Sequence, residues 1–130
     1  MTHSKSLREY VEALRTLGEI QEVDAEVDWN LELGAIIRRC YELRTPAPLF
    51  NRIKGIEPGF RVLGAPAGGS RRNGLVRLAL SLGLPATATA QEMVEALAAA
   101  HSQPPIPPRR VATGPCKENK LLGAGVDLTR

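Results

Sequence analysis

Apolar residues recur along this chain with two periods, and each period marks a different kind of element. Leu7, Tyr10, Val11, Leu14 and Leu17 share one helical face, which predicts a first helix from about Ser6 to Leu17. Ser6 and Glu9 have capping-box spacing, and Gly18 stands where a left-handed C-terminal cap is expected. Leu33, Ile36, Ile37, Cys40 and Leu43 form the stripe of a second helix, with Asp28 or Asn30 as its expected N-cap and Pro46 as its end. Leu75, Leu78, Ala79 and Leu82 predict a buried face on a third helix, around Gly74 to Leu82, that stops at Gly83. A fourth helix starts at Thr89, again with capping-box spacing to Glu92, and places Met93, Val94, Leu97 and Ala100 on one face.

The period shortens to two between these helices. Val23, Ala25 and Val27 alternate with Asp24 and Glu26, the pattern of a half-buried strand. Pro48 to Ile53 and Phe60 to Ala65 are short runs bounded by Pro and Gly, able to pair through a turn near Gly55 and Pro58-Gly59. The predicted order of helix, strand, helix, two strands and two helices is that of an α+β fold. A small mixed sheet of short strands is packed by about four helices.

The pattern changes after the fourth helix. Pro104-Pro105-Ile106-Pro107-Pro108 cannot be a helix or an inner strand, because each ring fixes φ, lacks an N–H and disfavours the helical region for the preceding residue. The expected division is a folded domain over 1–101 and a proline-rich extended C-terminal strap over 102–130. The sequence stops eleven residues after Asn119, just as alternation resumes at Val126-Asp127-Leu128-Thr129, and Arg130 is a residue after which trypsin-like proteases cut. Met1 is read as a native start and 130 as an imposed boundary, so that the strap leads toward a missing domain.

Composition narrows the picture further. With 130 residues and 43% hydrophobic positions the chain can bury one core but not two. Aromatics make up only 4%, so that core is aliphatic. A net charge of +3, with arginines dispersed along the chain, argues against nucleic acid as a partner. No apolar run approaches the ~20 residues of a membrane span. Two well-separated cysteines and no signal peptide point to reduced thiols and a cytoplasmic setting.

Few residues suggest chemistry. The run Gly64-Ala65-Pro66-Ala67-Gly68-Gly69-Ser70-Arg71-Arg72 is glycine-rich and precedes a helix, where anions can bind. It lacks both the dinucleotide glycine spacing and a P-loop Gly-Lys-Ser/Thr, so it reads as a flexible turn with solvated arginines. Contact of Arg71 and Arg72 with a phosphate or a neighbouring domain's carboxylates is the minority reading. His3 and His101 have no sequence neighbours that would complete a metal site or a nucleophile–base pair. Cys40 lies on the stripe of the second helix and reads as a buried, inert thiol. Cys116, beside Lys117, is the better candidate for an accessible thiol, and no disulfide to Cys40 is expected. Glu19, Glu22, Asp24, Glu26 and Asp28 read as strand-edge and cap charges on a solvated face. No catalytic, cofactor-binding or metal-ligating residue is assigned.

Several ordered motifs nevertheless carry a resemblance. P-P-I-P-P at 104–108, T-G-P-C-K-E-N at 113–119 and V-D-L-T at 126–129 resemble the opening of UbiD-type decarboxylases, nearest the ferulic (phenylacrylic) acid branch. Pro48-Leu49-Phe50-Asn51, Arg61 to Pro66 and Leu84 to Ala88 are similar to that branch in the same order. Leu7 to Leu14 and Asp28 to Glu32 resemble its first two helix starts, with Trp29 a departure where many relatives have proline. The resemblance implies an N-terminal, non-catalytic domain of a reversible, non-oxidative decarboxylase of unsaturated or aromatic acids. It implies prenylated FMN held with Mn²⁺ and K⁺ in the parent enzyme, none of them bound by this fragment, and a flavin-binding domain as partner. A homo-oligomer is left open. Two other readings stand beside it: a separately encoded subunit or binding module that docks on a catalytic chain, and an unrelated small enzyme using Cys116 or the glycine-rich turn.

Overall fold

The computed structural model describes residues 4–127, apart from the side chain of Cys116. The elements run in the order α1 (Leu7–Thr16), β1 (Ile20–Val23), α2 (Glu32–Leu43), β2 (Ala47–Phe50), β3 (Val62–Leu63), α3 (Val76–Ser81) and α4 (Ala90–His101), followed by two short 3-10 turns at Pro115–Lys117 and Gly123–Gly125. The strands form one mixed sheet in the order β1-β2-β3. β1 pairs parallel with β2, Ile20 opposite Ala47, and β2 pairs antiparallel with β3, Phe50 opposite Val62. A parallel pair needs a crossover, and α2 supplies it. This is the α+β fold that the hydrophobic pattern predicts.

β2 is the centre of the domain, since all four of its residues are buried. Its faces are covered by different helices. On one side Leu49 and Leu63 line a cleft with Leu7 and Val11 of α1. On the other, the Cα of Gly64 comes so close to α2 that an added Cβ would lie 2.6 Å from Ile37 Cγ1 and 2.9 Å from Pro48 Cγ. The core comprises Tyr10, Val11, Leu14, Val27, Leu49, Phe50, Ile53, Val76, Ala79 and Met93, with small Ala47 and Ala65 where backbones approach.

The helix ends show which local rules hold. Ser6 caps α1 by accepting from the Glu9 amide, but the Glu9 carboxylate reaches the amide of Lys5 rather than that of Ser6. Thr89 and Glu92 close a full capping box on α4, with the Thr89 amide donating to Glu92 Oε2 at 2.6 Å and the Glu92 amide to Thr89 Oγ1 at 3.2 Å. Neither Asp28 nor Asn30 caps α2. Asp28 Oδ1 accepts from the Asn30 amide and Glu32 Oε2 from the Asp28 amide, which closes a separate turn and delays the helix to Glu32.

Four burial expectations are also corrected. The first strand is Ile20–Val23, and Ala25 is exposed where the chain bends before Val27 rejoins the sheet by bridging Ile53. Leu75 precedes α3 and is 42% exposed, while Val76, Arg77 and Ala79 turn inward. On α4 only Met93 is buried, and Val94 and Leu97 are exposed. Cys40 is half-buried, as are Leu33, Ile36, Ile37 and Leu43, since α2 forms an outer layer with no fully buried residue.

The strap adds nothing to the core. Every described residue from Gln103 onward is exposed except Gly114, which is half-buried. Its backbone hydrogen bonds are local, such as Lys117 N to Gly114 O, and Lys117 Nζ donates to Val111 O. Leu128 to Arg130 lie outside the described residues.

Candidate functional site

The glycine-rich run is tied to the core by a buried arginine that the sequence pattern does not foresee, while its Arg71 and Arg72 are solvated as expected. It is wrapped around Arg77, whose guanidinium is 1% exposed. Nε donates to Gly68 O at 2.8 Å, Nη1 to Ala65 O at 3.2 Å, and Nη2 to Gly69 O at 2.6 Å and Thr45 O at 3.0 Å. A planar fork with five donors suits such a ring of carbonyls, and Lys could not replace it. Ala65 adopts φ 46 in this loop, a left-handed conformation that costs a non-glycine residue free energy and aims its carbonyl at the guanidinium. Gly68 leaves the room needed, since a Cβ there would meet Tyr41 at 2.9 Å and Arg77 Nη2 at 3.2 Å.

The buried charge is balanced by Glu19, which is also 1% exposed and lies 3.6 Å from Arg77 Nε through its Oε2. Glu19 Oε1 accepts from Ser70 Oγ at 2.7 Å and Asn73 Nδ2 at 2.6 Å. Ser70 Oγ in turn accepts from the amides of Arg72 and Asn73. Tyr10 completes the cluster, its hydroxyl placed 2.7 Å from Pro66 O and 2.8 Å from Arg77 O. Burial raises the Tyr10 pKa, and the nearby Arg77 charge opposes that rise. Glu19 is therefore no solvated edge charge but the counter-ion of the core.

Arg77 and Glu19 were missed by the hydrophobic pattern, although one signal marks them. Arg77 interrupts the apolar run Val76 to Leu80, and Glu19 follows the helix-ending Gly18 directly. The remaining acids lie on the sheet edge as expected, each with a partner across it, although Asp28 closes its own turn and does not cap α2. Glu22 and Asp24 accept from Asn51 Nδ2, Glu26 lies near Arg52, and Asp28 pairs with Lys54 at 2.8 Å. The Lys54 hydrogen bond and then the Asn30 amide lower the Asp28 pKa. Arg71 and Arg72 are exposed, and His101 ends α4 in its last turn. His3 and the Cys116 side chain fall outside the described residues, so the expectations about them have no structural counterpart.

The loop amides of Ser70, Arg71, Arg72 and Asn73 are spent on Gly74 O, Arg44 O and Ser70 Oγ, and its carbonyls on Arg77. Among the described residues no cluster of three His, Cys, Asp or Glu side chains is placed to hold a metal ion. No helix among them is long and apolar enough to cross a membrane.

A fold of this kind recurs inside larger decarboxylases. Vanillic acid decarboxylase of Sedimentibacter hydroxybenzoicus in its open form superposes with a TM-score of 0.66 at 30% identity, over 92% of this chain and 25% of that one. Its closed form gives 0.64 at 28% identity. Residues 11–97 match the 3-octaprenyl-4-hydroxybenzoate carboxy-lyase N-terminal domain. The chain belongs to that family, as the N-terminal domain of a UbiD-type decarboxylase. It is 51% identical to pyrrole-2-carboxylic acid decarboxylase of Pseudomonas aeruginosa over 95% of its length, and 36% identical to ferulic acid decarboxylase 1 of Saccharomyces cerevisiae over 93%. In each case the chain spans 25% of the relative.

Proposed function

We propose that this chain is the non-catalytic structural domain of a prenylated-FMN-dependent, reversible and non-oxidative decarboxylase of unsaturated or aromatic carboxylic acids. The observation that carries the reading is 51% identity along 95% of the chain to a quarter of pyrrole-2-carboxylic acid decarboxylase. The interior supports it, since Arg77, Ser70 and Tyr10 spend their side-chain polar atoms on the loop backbone and on Glu19. In this reading residues 1–101 are the domain and 102–130 the connector to a flavin-binding domain. Prenylated FMN, Mn²⁺ and K⁺ belong to that other part, which supplies the decarboxylation chemistry in a cytoplasmic enzyme.

A chimera in which this chain replaces the matching quarter of the Pseudomonas relative tests the reading. Retained decarboxylation supports it, and a folded chimera without activity or flavin counts against it. The isolated chain is expected to elute from gel filtration colourless after incubation with prenylated FMN and to release no CO₂ from cinnamate-type acids.

A separately encoded subunit is the second reading, and one observation favours it. Among the described residues every buried apolar side chain lies between Tyr10 and Met93, so the core they form closes without the strap. Intact mass of the native gene product separates the two readings, a longer species supporting the first and a 130-residue product the second.

A further inference from the structure

The polar cluster of the core includes one residue with chemistry of its own. Of the four asparagines in the chain, only Asn73 is followed by glycine. An Asn-Gly pair can deamidate without an external catalyst, because glycine has no side chain to keep its backbone nitrogen away from the asparagine carboxamide. Asn73 is exposed, so water reaches it, yet its side chain is one of the two donors to Oε1 of the buried Glu19.

The intact fold keeps both reacting groups engaged elsewhere. Asn73 Nδ2 donates to Glu19 Oε1 at 2.6 Å and lies 3.5 Å from Leu17 O, which anchors the carboxamide at the α1–β1 junction. The Gly74 amide donates to Ser70 O at 3.0 Å, and Ser70 N to Gly74 O at 2.7 Å, so the nucleophile sits in a closed backbone bridge. Ser70 Oγ accepts from the Asn73 amide at 3.1 Å and donates to the same Glu19 oxygen. Ring closure requires the carboxamide to leave Glu19 and the Gly74 amide to leave Ser70 O.

We propose that Asn73 is a deamidation site gated by Glu19, closed while the Arg77–Glu19 cluster is intact and irreversible once the cluster has opened. The Gly74 nitrogen forms a bond to Asn73 Cγ, the Cγ–Nδ2 bond breaks, and the Gly74 amide proton leaves with Nδ2 as ammonia. Water then opens the cyclic imide at either carbonyl, giving aspartate or isoaspartate at position 73. Either product exchanges a donor to Glu19 for a second carboxylate. Glu19, only 1% exposed, then meets a like charge with one of its two Oε1 donors gone, which disfavours closing again. Arg72 reaches the neighbourhood of Gly18, but it is exposed, and solvent screening leaves it little to offset. A transient opening is thereby stored as a covalent change. The inference does not depend on the functional reading above.

Incubation of the 130-residue chain in mildly alkaline buffer, followed by peptide mapping and isoaspartate labelling, tests this. Position 73 is expected to react on the order of tenfold slower in the folded chain than in a synthetic peptide of residues 68–78, since the reaction waits for a local opening. E19L/R77M, shown to be folded by near-UV circular dichroism, should react severalfold faster than the unaltered chain, because it removes the acceptor without stranding a charge. N73D, the direct product, should lower the urea midpoint more than N73A, which removes the donor without adding charge. Equal rates in the folded chain and the peptide overturn the proposal, as does modification concentrated at Asn30, Asn51 or Asn119. So does a folded E19L/R77M that reacts no faster. Should that variant not fold, the unaltered chain in urea below its transition replaces it: the rate at 73 must rise with hydrogen exchange of the Gly74 amide, and a flat rate overturns the gate. An N73D midpoint at or above that of N73A overturns the coupling to Glu19.

Discussion

Arg77 and Glu19 face each other at 3.6 Å with both side chains 1% exposed, joining α3 to the α1–β1 junction. Taking two charges out of water is costly, and the carbonyls around Arg77 and the Ser70 and Asn73 donors to Glu19 Oε1 offset part of that cost. Glu19 Oε2 accepts no hydrogen bond among the described residues and meets only the Arg77 charge. The pair ties the glycine-rich run to the core through Ala65, Gly68, Gly69 and Ser70.

R77M keeps the volume but strands Glu19 and a ring of carbonyls. It is expected to cost about 3–5 kcal/mol in urea denaturation, a large part of the about 5–15 kcal/mol that holds a domain folded. E19L combined with R77M should recover much of that loss, since an apolar replacement of both partners removes the uncompensated charge. Strictly additive effects of the two changes would show that they do not act as a pair.

G64A tests the approach of α2 to the sheet. Gly64 has no left-handed φ to protect, so the cost is steric and comes from Ile37 and Pro48. A loss of about 1–3 kcal/mol is expected, as for overpacked cores, with partial recovery in G64A/I37A. Unchanged stability of G64A would mean that α2 sits farther from the sheet.

The capping box of α4 predicts both a mutational and a pH effect. T89A should cost about 0.5–2 kcal/mol. The Thr89 amide, and after it the Thr89 hydroxyl, lower the Glu92 pKa. Glu92 therefore contributes stability that is present above its unfolded pKa and is lost as pH falls through the lower folded value. Thermal melts between neutral pH and pH 3 check this, and E92Q should flatten that part of the profile. An unchanged profile in E92Q would rule the box out as its source.

Trypsin is expected to cut first in the strap, at Arg109, Arg110, Lys117 and Lys120, all exposed and tied only by local hydrogen bonds. A fragment close to residues 1–101 should persist with unchanged near-UV circular dichroism. Early cleavage after Arg44 or Arg71, or loss of fold on removing the strap, would show that 102–127 belongs to the domain.

Local sequence rules determined much of this protein. Ser6 and Thr89 cap their helices, Gly18 and Gly83 take φ 69 and 72 at helix ends, and the prolines of 104–108 keep the strap extended. Such features depend on neighbours a few residues away, and spacing alone reveals them. The α+β class was legible for the same reason, because the two hydrophobic periods distinguish helix from strand.

Only the tertiary structure decided which faces meet. Leu75, Val94 and Leu97 obey helical periodicity and are still exposed, since burial requires an opposing surface and periodicity does not supply one. Arg77 and Glu19 lie 58 positions apart in the chain, and each alone reads as a surface charge. Their burial becomes tolerable only once the loop carbonyls, Ser70 and Asn73 converge on them, an arrangement that exists in the fold and in no local stretch of sequence.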